Sequence, residues 1–375
     1  MALEPNGRRH WCSSSSGIGT ILDDVIEGHR LTEAEALNLL TAKGRDVFEI
    51  AAAADIIRER KNGDIITYVR NQNLNFTNNC INSCGFCSFC RKTGQPDTFC
   101  FNREEIIEKV NQAKNRNVTE ICSVGGLHPD FTAENYIEII SLIHHTAPEI
   151  HIHANNPMEV WYGAKKSGIP TIEMLEHMKE AGLGSLCGTA AEILVDDVRE
   201  VICPGKIDTG TWERIIRETH GLGIPTTATI MYGHVETLAD RIMHLKLLRE
   251  IQDDTGGFLE FVPLSFIHNN TPLYLEGRVR PGATGREDIL MIAVSRLFLD
   301  NFDNIQVSWV KYGKKLAQLG LMAGGNDLGG TIFEESISRE AGARDTDFLD
   351  PLEMRRMAEN TGRKLAQRST LYQVM

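Results

Sequence analysis

Three cysteines, Cys80, Cys84 and Cys87, stand in a C-x3-C-x2-C array, with Phe86 directly before the third and Ser88 directly after it. Thiolates are soft ligands and suit iron–sulfur clusters. A cluster held by protein alone usually takes four cysteines. Three thiolates can bind three irons of a [4Fe-4S] cubane and leave the fourth iron open to another ligand. Cys90 follows Cys87 at a further C-x2-C spacing, so a structural zinc site with four sulfur ligands is the competing reading. Structural zinc sites usually present two well-separated pairs. No second pair follows here, which favours the cluster.

Such a loop needs a scaffold. From Ile65 onward, short β-branched segments alternate with amphipathic helical ones. The pattern predicts strands at 66–76, 120–126, 149–155, 184–188, 226–233, 258–264, 304–310 and 320–325. Helices are expected between them, with Asn102, Thr132 and Thr237 as N-caps. Eight strand–helix units in this length predict an α/β fold, a (β/α)8 TIM-type barrel, with an open parallel sheet as the other architecture. The barrel is expected to span 65–342. Before it lies an N-terminal helical extension, 19–64, in which Thr32 and Glu35 form a capping box and a helix over 45–59 buries Val47, Phe48, Ile50 and Ile56. Residues 1–18 read as poorly ordered and 343–375 as a helical tail.

Composition restricts the function. The net charge is −12 over 375 residues, which argues against a nucleic-acid or acidic-membrane surface. No apolar run reaches the length of a spanning helix. The first twenty residues lack the apolar core of a secretory signal. Nine cysteines that form no disulfide framework point to a reducing cytoplasm, which an oxygen-sensitive cluster would also need.

In a parallel barrel, chemistry sits at the carboxyl ends of the strands. The cysteine loop follows the first expected strand. Gly125, Gly126 and His128 end the second, where paired glycines would let a ligand approach the backbone. His151 and His153 alternate along the third and Asn155 closes it; the pair could bind a metal, although packed core histidines are commoner. Glu192 follows the fourth strand, as a ribose or amine contact or as a plain first-turn carboxylate. Glu260 lies within the apolar sixth, and Asn326 and Asp327 follow the eighth. Their common placement predicts one large site.

The cysteine spacing resembles the signature of the radical S-adenosylmethionine (SAM) superfamily. The phrases GGLHPD, IHIHANNPMEV, GTAAEILVDDVR, TTATIMYGHVET, GGFLEFVPLSF and GGNDLGGT extend that likeness over about 65–342. They are similar to the branch holding the FO synthase subunits and the radical enzymes of the futalosine menaquinone route, and most similar to the CofH family. The resemblance implies a [4Fe-4S] cluster ligated by Cys80, Cys84 and Cys87, with SAM on the open iron through its amino and carboxylate groups. It implies Phe86 near the adenine, Gly125 and Gly126 near the methionyl amine, and Glu192 at a ribose or substrate. It further implies a transferase that joins the 4-hydroxybenzyl group of L-tyrosine to 5-amino-6-(D-ribitylamino)uracil, a step toward the deazaflavin FO. An electron donor and the CofG enzyme would be its partners. Under that reading His128, Asn155, Asn326 and Asp327 are the candidate substrate contacts. Two positions depart from the family pattern: Cys90 stands where an aromatic is expected, and Cys187 where a proline is. A futalosine-type substrate is the second reading. A metal-stabilised barrel that binds without catalysis is the third.

Overall fold

The computed structural model describes residues 17–344 and 346–375, together with the backbone of 2–3 and 9–10. Within the first eighteen residues it shows β1 (Ala2–Leu3) paired antiparallel with β2 (Arg9–His10); the other residues of 1–16, including Cys12, lie outside the described residues. Three helices follow, α1 (Ile18–Ile26), α2 (Glu33–Thr41) and α3 (Asp46–Asn62). Thr32 and Glu35 form the expected capping box. Helix α3 lays Val47, Ile50, Ala53 and Ala54 against the core, but Phe48 is 76% exposed. Phe48 is one residue on from Val47, about 100° around the helix, which turns it to the outer face.

The barrel strands are β3 (Ile65–Val69) and β4 (Asn71–Asn73), β5 (Glu120–Ser123), β6 (His151–Ala154), β7 (Ser185–Leu186), β8 (Thr226–Tyr232), β9 (Phe258–Ser265) and β10 (Asp327–Gly330). Alternating with them are α4 (Arg103–Asn115), α5 (Ala133–Thr146), α6 (Pro157–Ser167), α7 (Thr171–Glu180), α8 (Asp196–Ile202), α9 (Thr209–Gly221), α10 (Leu238–Thr255), α11 (Pro272–Leu275), α12 (Gly285–Phe298) and α13 (Trp309–Leu321). Strands β4 to β9 form one parallel sheet in chain order. The ring is completed by two single bridges, Ile305 with Phe261 and Gln306 with Asp327, and by the parallel pairing of β10 with β3. The first strand is thus β3 and β4 end to end, broken at Arg70.

Two expected strands lie elsewhere. Only Ile305 and Gln306 of the 304–310 segment pair, because α13 begins at Trp309. The 320–325 segment ends α13 and turns; the eighth strand is β10, starting at Asp327. The glycines and apolar residues of that segment pack like a helix end rather than a ladder. Asn326 and Asp327 therefore lie at the amino end of their strand, opposite the predicted site.

The tail after α14 (Ile337–Glu340) and α15 (Pro351–Glu359) is also not only helical. Strand β11 (Lys364–Gln367) pairs parallel with β3, and the chain then enters the base of the barrel. There Arg368 donates to Asp327 from Nε at 2.5 Å and Nη2 at 3.1 Å, and Thr370 donates to Glu120 at 2.8 Å. The hydroxyl of Tyr372 donates to Glu260. Barrel interiors are commonly filled with layers of branched apolar side chains. This one is plugged from below by a polar network, and a polar cavity remains above it.

Candidate active site

The cysteine loop leaves the carboxyl end of β4 and is pinned by its own backbone. Cys80 N donates to Arg91 O at 2.9 Å, Ile81 N to Leu127 O at 3.0 Å and Gly85 N to Ile202 O at 2.9 Å. Lys92 reaches across and donates to the carbonyls of Cys80, Ile81 and Asn82 at 2.7–3.0 Å. A Cβ on Gly85 would lie 2.4 Å from the Leu273 side chain, so only glycine lets the loop pack against α11.

All three thiols of the array open onto one cavity of about 360 Å³. Phe86, Gly125, Gly126 and Glu192 line the same cavity. The glycine pair serves packing rather than ligand approach: a Cβ on Gly126 would meet Asn79 O at 2.5 Å, and one on Gly125 the Phe76 ring at 2.6 Å. Cys90 lines the same cavity but is engaged in hydrogen bonds. Its thiol donates to Asn82 O at 3.1 Å and hydrogen-bonds the Cys80 sulfur, which brings the Cys80 thiol down to about 6. Burial pushes the Cys84 and Cys87 thiols up. Metal coordination would deprotonate such thiols outright.

Charge in the wall is balanced with care. Lys206 is mostly buried beside Cys84 and pairs with Glu192; its ammonium sits 5.3 Å above the Phe86 ring. Burial opposes its charge, but Glu192 and Cys84 outweigh that and raise it. Glu192 stands outside any helix, and its backbone, like that of Asn155 and Ala190, has a positive φ. Such conformations cost about 1–3 kcal/mol each for non-glycine residues and gather at functional sites. Glu159, the N3 residue of the α6 capping box, accepts from Gly125 N at 3.1 Å and Asn156 N at 3.0 Å. Burial raises its carboxyl to about 8.

Below this cavity lies a second, of about 230 Å³, inside the barrel. Asn73, Cys122, Val124, Thr189, Leu264, Lys311, Glu335 and Ser338 line both. The lower one is walled by Glu120, His153, Cys187, Thr227, Thr229, Glu260, Gln306 and Arg368. His151 and His153 both hydrogen-bond Ser185 Oγ at 2.8 Å, and burial holds His153 down to about 4. His153 does approach Cys122 and Cys187, with ligand atoms within 4.8 Å of one another.

The other sequence candidates fall outside both cavities. His128 stacks on Phe131 and accepts from Asp130 N in a turn. Asn155 is buried behind the wall; its N donates to Ser123 O and its carbonyl accepts from Cys187 N. Asn326 is fully used as a structural clamp, accepting from Arg296 at 2.7 Å and Ile305 N at 2.8 Å and donating to Asn304 at 2.9 Å. Asp327 belongs to the basal network. The residues missed from sequence are Lys92, Glu159, Lys206, Lys311 and Glu335. Only Glu159 carried a signal, as the Glu of an N-P-M-E capping box; Lys92 lies within the cysteine loop itself, Lys311 comes from α13, and Lys206 and Glu335 come from loops far along the chain.

The site fits a cluster and a polar ligand on its own terms. Three soft donors face a common space beside a mostly buried cation. Asn75 Oδ1, Asn82 Nδ2 and Thr189 Oγ1 are buried with no hydrogen-bond partner among the described residues, and all three residues line the cavity. Unpaired buried polar atoms are costly unless a ligand or water meets them.

A parallel barrel with this thiol loop at its carboxyl-end mouth defines a radical SAM enzyme, whose class uses a [4Fe-4S] cluster and SAM. Residues 74–248 match the radical SAM superfamily model, and 255–374 match the CofH/MqnC C-terminal region. The solved structures of methylornithine synthase (PylB) and of the [FeFe]-hydrogenase maturase HydG share the fold: TM-score 0.72 at 19% identity over 92% of this chain and 97% of that one for the first, and 0.76 at 16% over 95% and 77% for the second. Relatives named 5-amino-6-(D-ribitylamino)uracil–L-tyrosine 4-hydroxyphenyl transferase match across nearly their whole length. The one from Methanoculleus marisnigri is 65% identical over 95% of this chain and 97% of its own, and the one from Methanocaldococcus jannaschii 46% over 92% and 97%. The chain belongs to this family of radical SAM transferases.

Proposed function

We propose that this enzyme transfers the 4-hydroxybenzyl group of L-tyrosine to 5-amino-6-(D-ribitylamino)uracil. The observation that carries the reading is the pair of adjoining cavities, with eight lining residues in common, that sets the Cys80, Cys84 and Cys87 thiols next to a polar barrel lumen. Whole-chain identity of 65% to a relative of that name supports it, where the C-terminal family model is shared with the menaquinone branch.

In this reading Cys80, Cys84 and Cys87 ligate the cluster, and Phe86, Gly125, Gly126 and Glu192 form the SAM wall. When bound, the cluster and SAM supply a hydrogen-abstracting adenosyl radical. The chain supplies position and exclusion of water. Lys206 offsets the negative charge of the thiolate-ligated cluster, and Glu192 keeps Lys206 in place. Glu159 ties the Gly125 corner to the start of α6, which fixes the wall that SAM would meet. The lumen's hydroxyls and amides, Asn73, Thr189, Thr227 and Thr229, suit a ribityl chain, and the basal plug closes the far end against solvent. After the Cα–Cβ bond of tyrosine breaks, the 4-hydroxybenzyl group joins the uracil and the rest leaves as the imine of glyoxylate. A reductant delivers the electron, CofG takes the adduct on to FO, and the setting is the cytoplasm. No helix among the described residues is long and apolar enough to cross a membrane.

The test is an anaerobic assay of reconstituted protein with SAM, dithionite, L-tyrosine and the diaminouracil, read by mass spectrometry. A tyrosine-derived uracil adduct, lost in Cys84→Ala, is expected. Deoxyadenosine without adduct, with turnover of dehypoxanthine futalosine instead, would overturn the substrate assignment.

A further inference from the structure

Three lysine or arginine side chains line the adjoining cavities: Lys206, Lys311 and Arg368. Two are already neutralised. Lys206 pairs with Glu192, and Arg368 is held by Asp327 with Glu260 at 3.5 Å. Lys311 differs. Its Nζ donates to the Ser338 hydroxyl at 2.9 Å, and it makes no ion pair among the described residues. Glu335 is close enough to act on Lys311 through its field, but it forms no direct ion pair with it; its oxygens accept from Asn73 Nδ2 at 2.7 Å and Ser338 N at 2.6 Å. Lys311 stands at the junction of the two cavities, where both are lined by it. A partly buried ammonium that faces a cavity with no direct ion pair is under-compensated, and an anion from the ligand would satisfy it.

Three molecules have to share this space, and their chemistry leaves one candidate anion. The carboxylate of SAM is taken by the open iron, and the ribitylaminouracil has none. The amino-acid substrate has one. We infer that Lys311 binds the α-carboxylate of L-tyrosine. The inference rests on the transferase reading above. It places the amino acid at the neck between the thiol cavity and the lumen, with its amine and Cα–Cβ bond within the upper space. Burial already holds the Lys311 ammonium below its ordinary value, opposed by the fields of Glu335 and Glu192, so a bound carboxylate adds to a cation that the wall alone leaves under-compensated.

The experiment compares equilibrium binding of L-tyrosine and of tyramine, which lacks the carboxylate, to SAM-loaded holoenzyme by calorimetry. Lys311→Met should weaken L-tyrosine by about tenfold to a hundredfold, the range of a hydrogen bond to a charged group. Tyramine and SAM affinity should be unchanged, and Lys311→Arg should restore part of the loss. The tyrosine-to-tyramine ratio is insensitive to general loosening of the site, and Lys311→Gln serves if the Met variant does not fold. Equal weakening of both ligands, unchanged L-tyrosine affinity, or loss of SAM with tyrosine retained would each overturn the assignment of Lys311. Wild-type enzyme that forms the uracil adduct beside such a result leaves the transferase reading standing. Wild-type enzyme that forms no adduct overturns that reading and this inference with it.

Discussion

Replacing Arg368 with methionine should destabilise the barrel far more than a surface charge loss would. Asp327 is fully buried and accepts four hydrogen bonds, two from Arg368, one from Thr67 at 2.5 Å and one from Gly329 N at 2.6 Å. Arg368 itself is 2% exposed and lies 3.8 Å above the Tyr372 ring. The methionine fills most of the volume but leaves Asp327 and Glu260 without their cation. Removing one partner of a buried pair costs about 3–5 kcal/mol, because the remaining charge is stranded. Unfolding entropy of about 2 cal/mol/K per residue gives about 0.8 kcal/mol/K for a chain of this length, so the melting temperature should fall by about 4–6 °C. Scanning calorimetry of anaerobic, reduced protein at neutral pH measures it. The double variant Arg368→Met/Asp327→Asn should recover part of the loss, since it removes one of the two stranded carboxylates and the one in closest contact. A single-variant shift within about 1 °C, or a double variant that simply adds both losses, would refute the claim that the tail is locked by this buried pair.

Three further outcomes are expected. Gly126→Ala drives a Cβ toward Asn79 O, so the cysteine loop has to shift; reconstituted protein should hold less iron per chain than wild type, and full iron content in the variant would contradict the packing argument. Cys90→Ser keeps the hydrogen bond to Asn82 O and should retain iron and sulfide, whereas Cys87→Ser should lose both; loss of metal in Cys90→Ser would revive a four-sulfur site. Glu159 carries a carboxyl raised by burial from 4.5 to about 8, so the native state holds a proton that the unfolded chain releases. Its contribution is therefore present below about pH 4.5 and lost as pH rises through about 8. Urea midpoints should show the stability margin of wild type over Glu159→Gln narrowing across that window, and a margin independent of pH would count against it.

Much of the local structure follows from near neighbours in sequence. The capping boxes at Thr32, Asn102 and Thr237 form as their spacing requires, since each joins residues three apart. The strand–helix alternation specifies the class of barrel for the same reason. The placement of the eighth strand does not follow, because GLMAGG suits a strand by composition, and only its packing at the end of α13 makes it a helix end and a turn. That one shift moves Asn326 and Asp327 from the mouth to the base.

The thiol array and the order of the barrel units were legible in the sequence alone, as local patterns set by spacing; that Gly85, Gly125 and Gly126 serve the packing of the loop was not. The tertiary structure alone decided which charges share the cavity. Lys206 reaches Cys84 and Glu192, and Lys311 reaches the neck of the lumen, only because the ring closes through Ile305, Gln306 and β10. Arg368 meets Asp327 across 41 intervening steps of chain because β11 threads beside β3. Long-range pairing of buried charge has no period and no motif. It is fixed by the cost of leaving a charge unpaired inside the barrel, and that cost exists only once the barrel has closed.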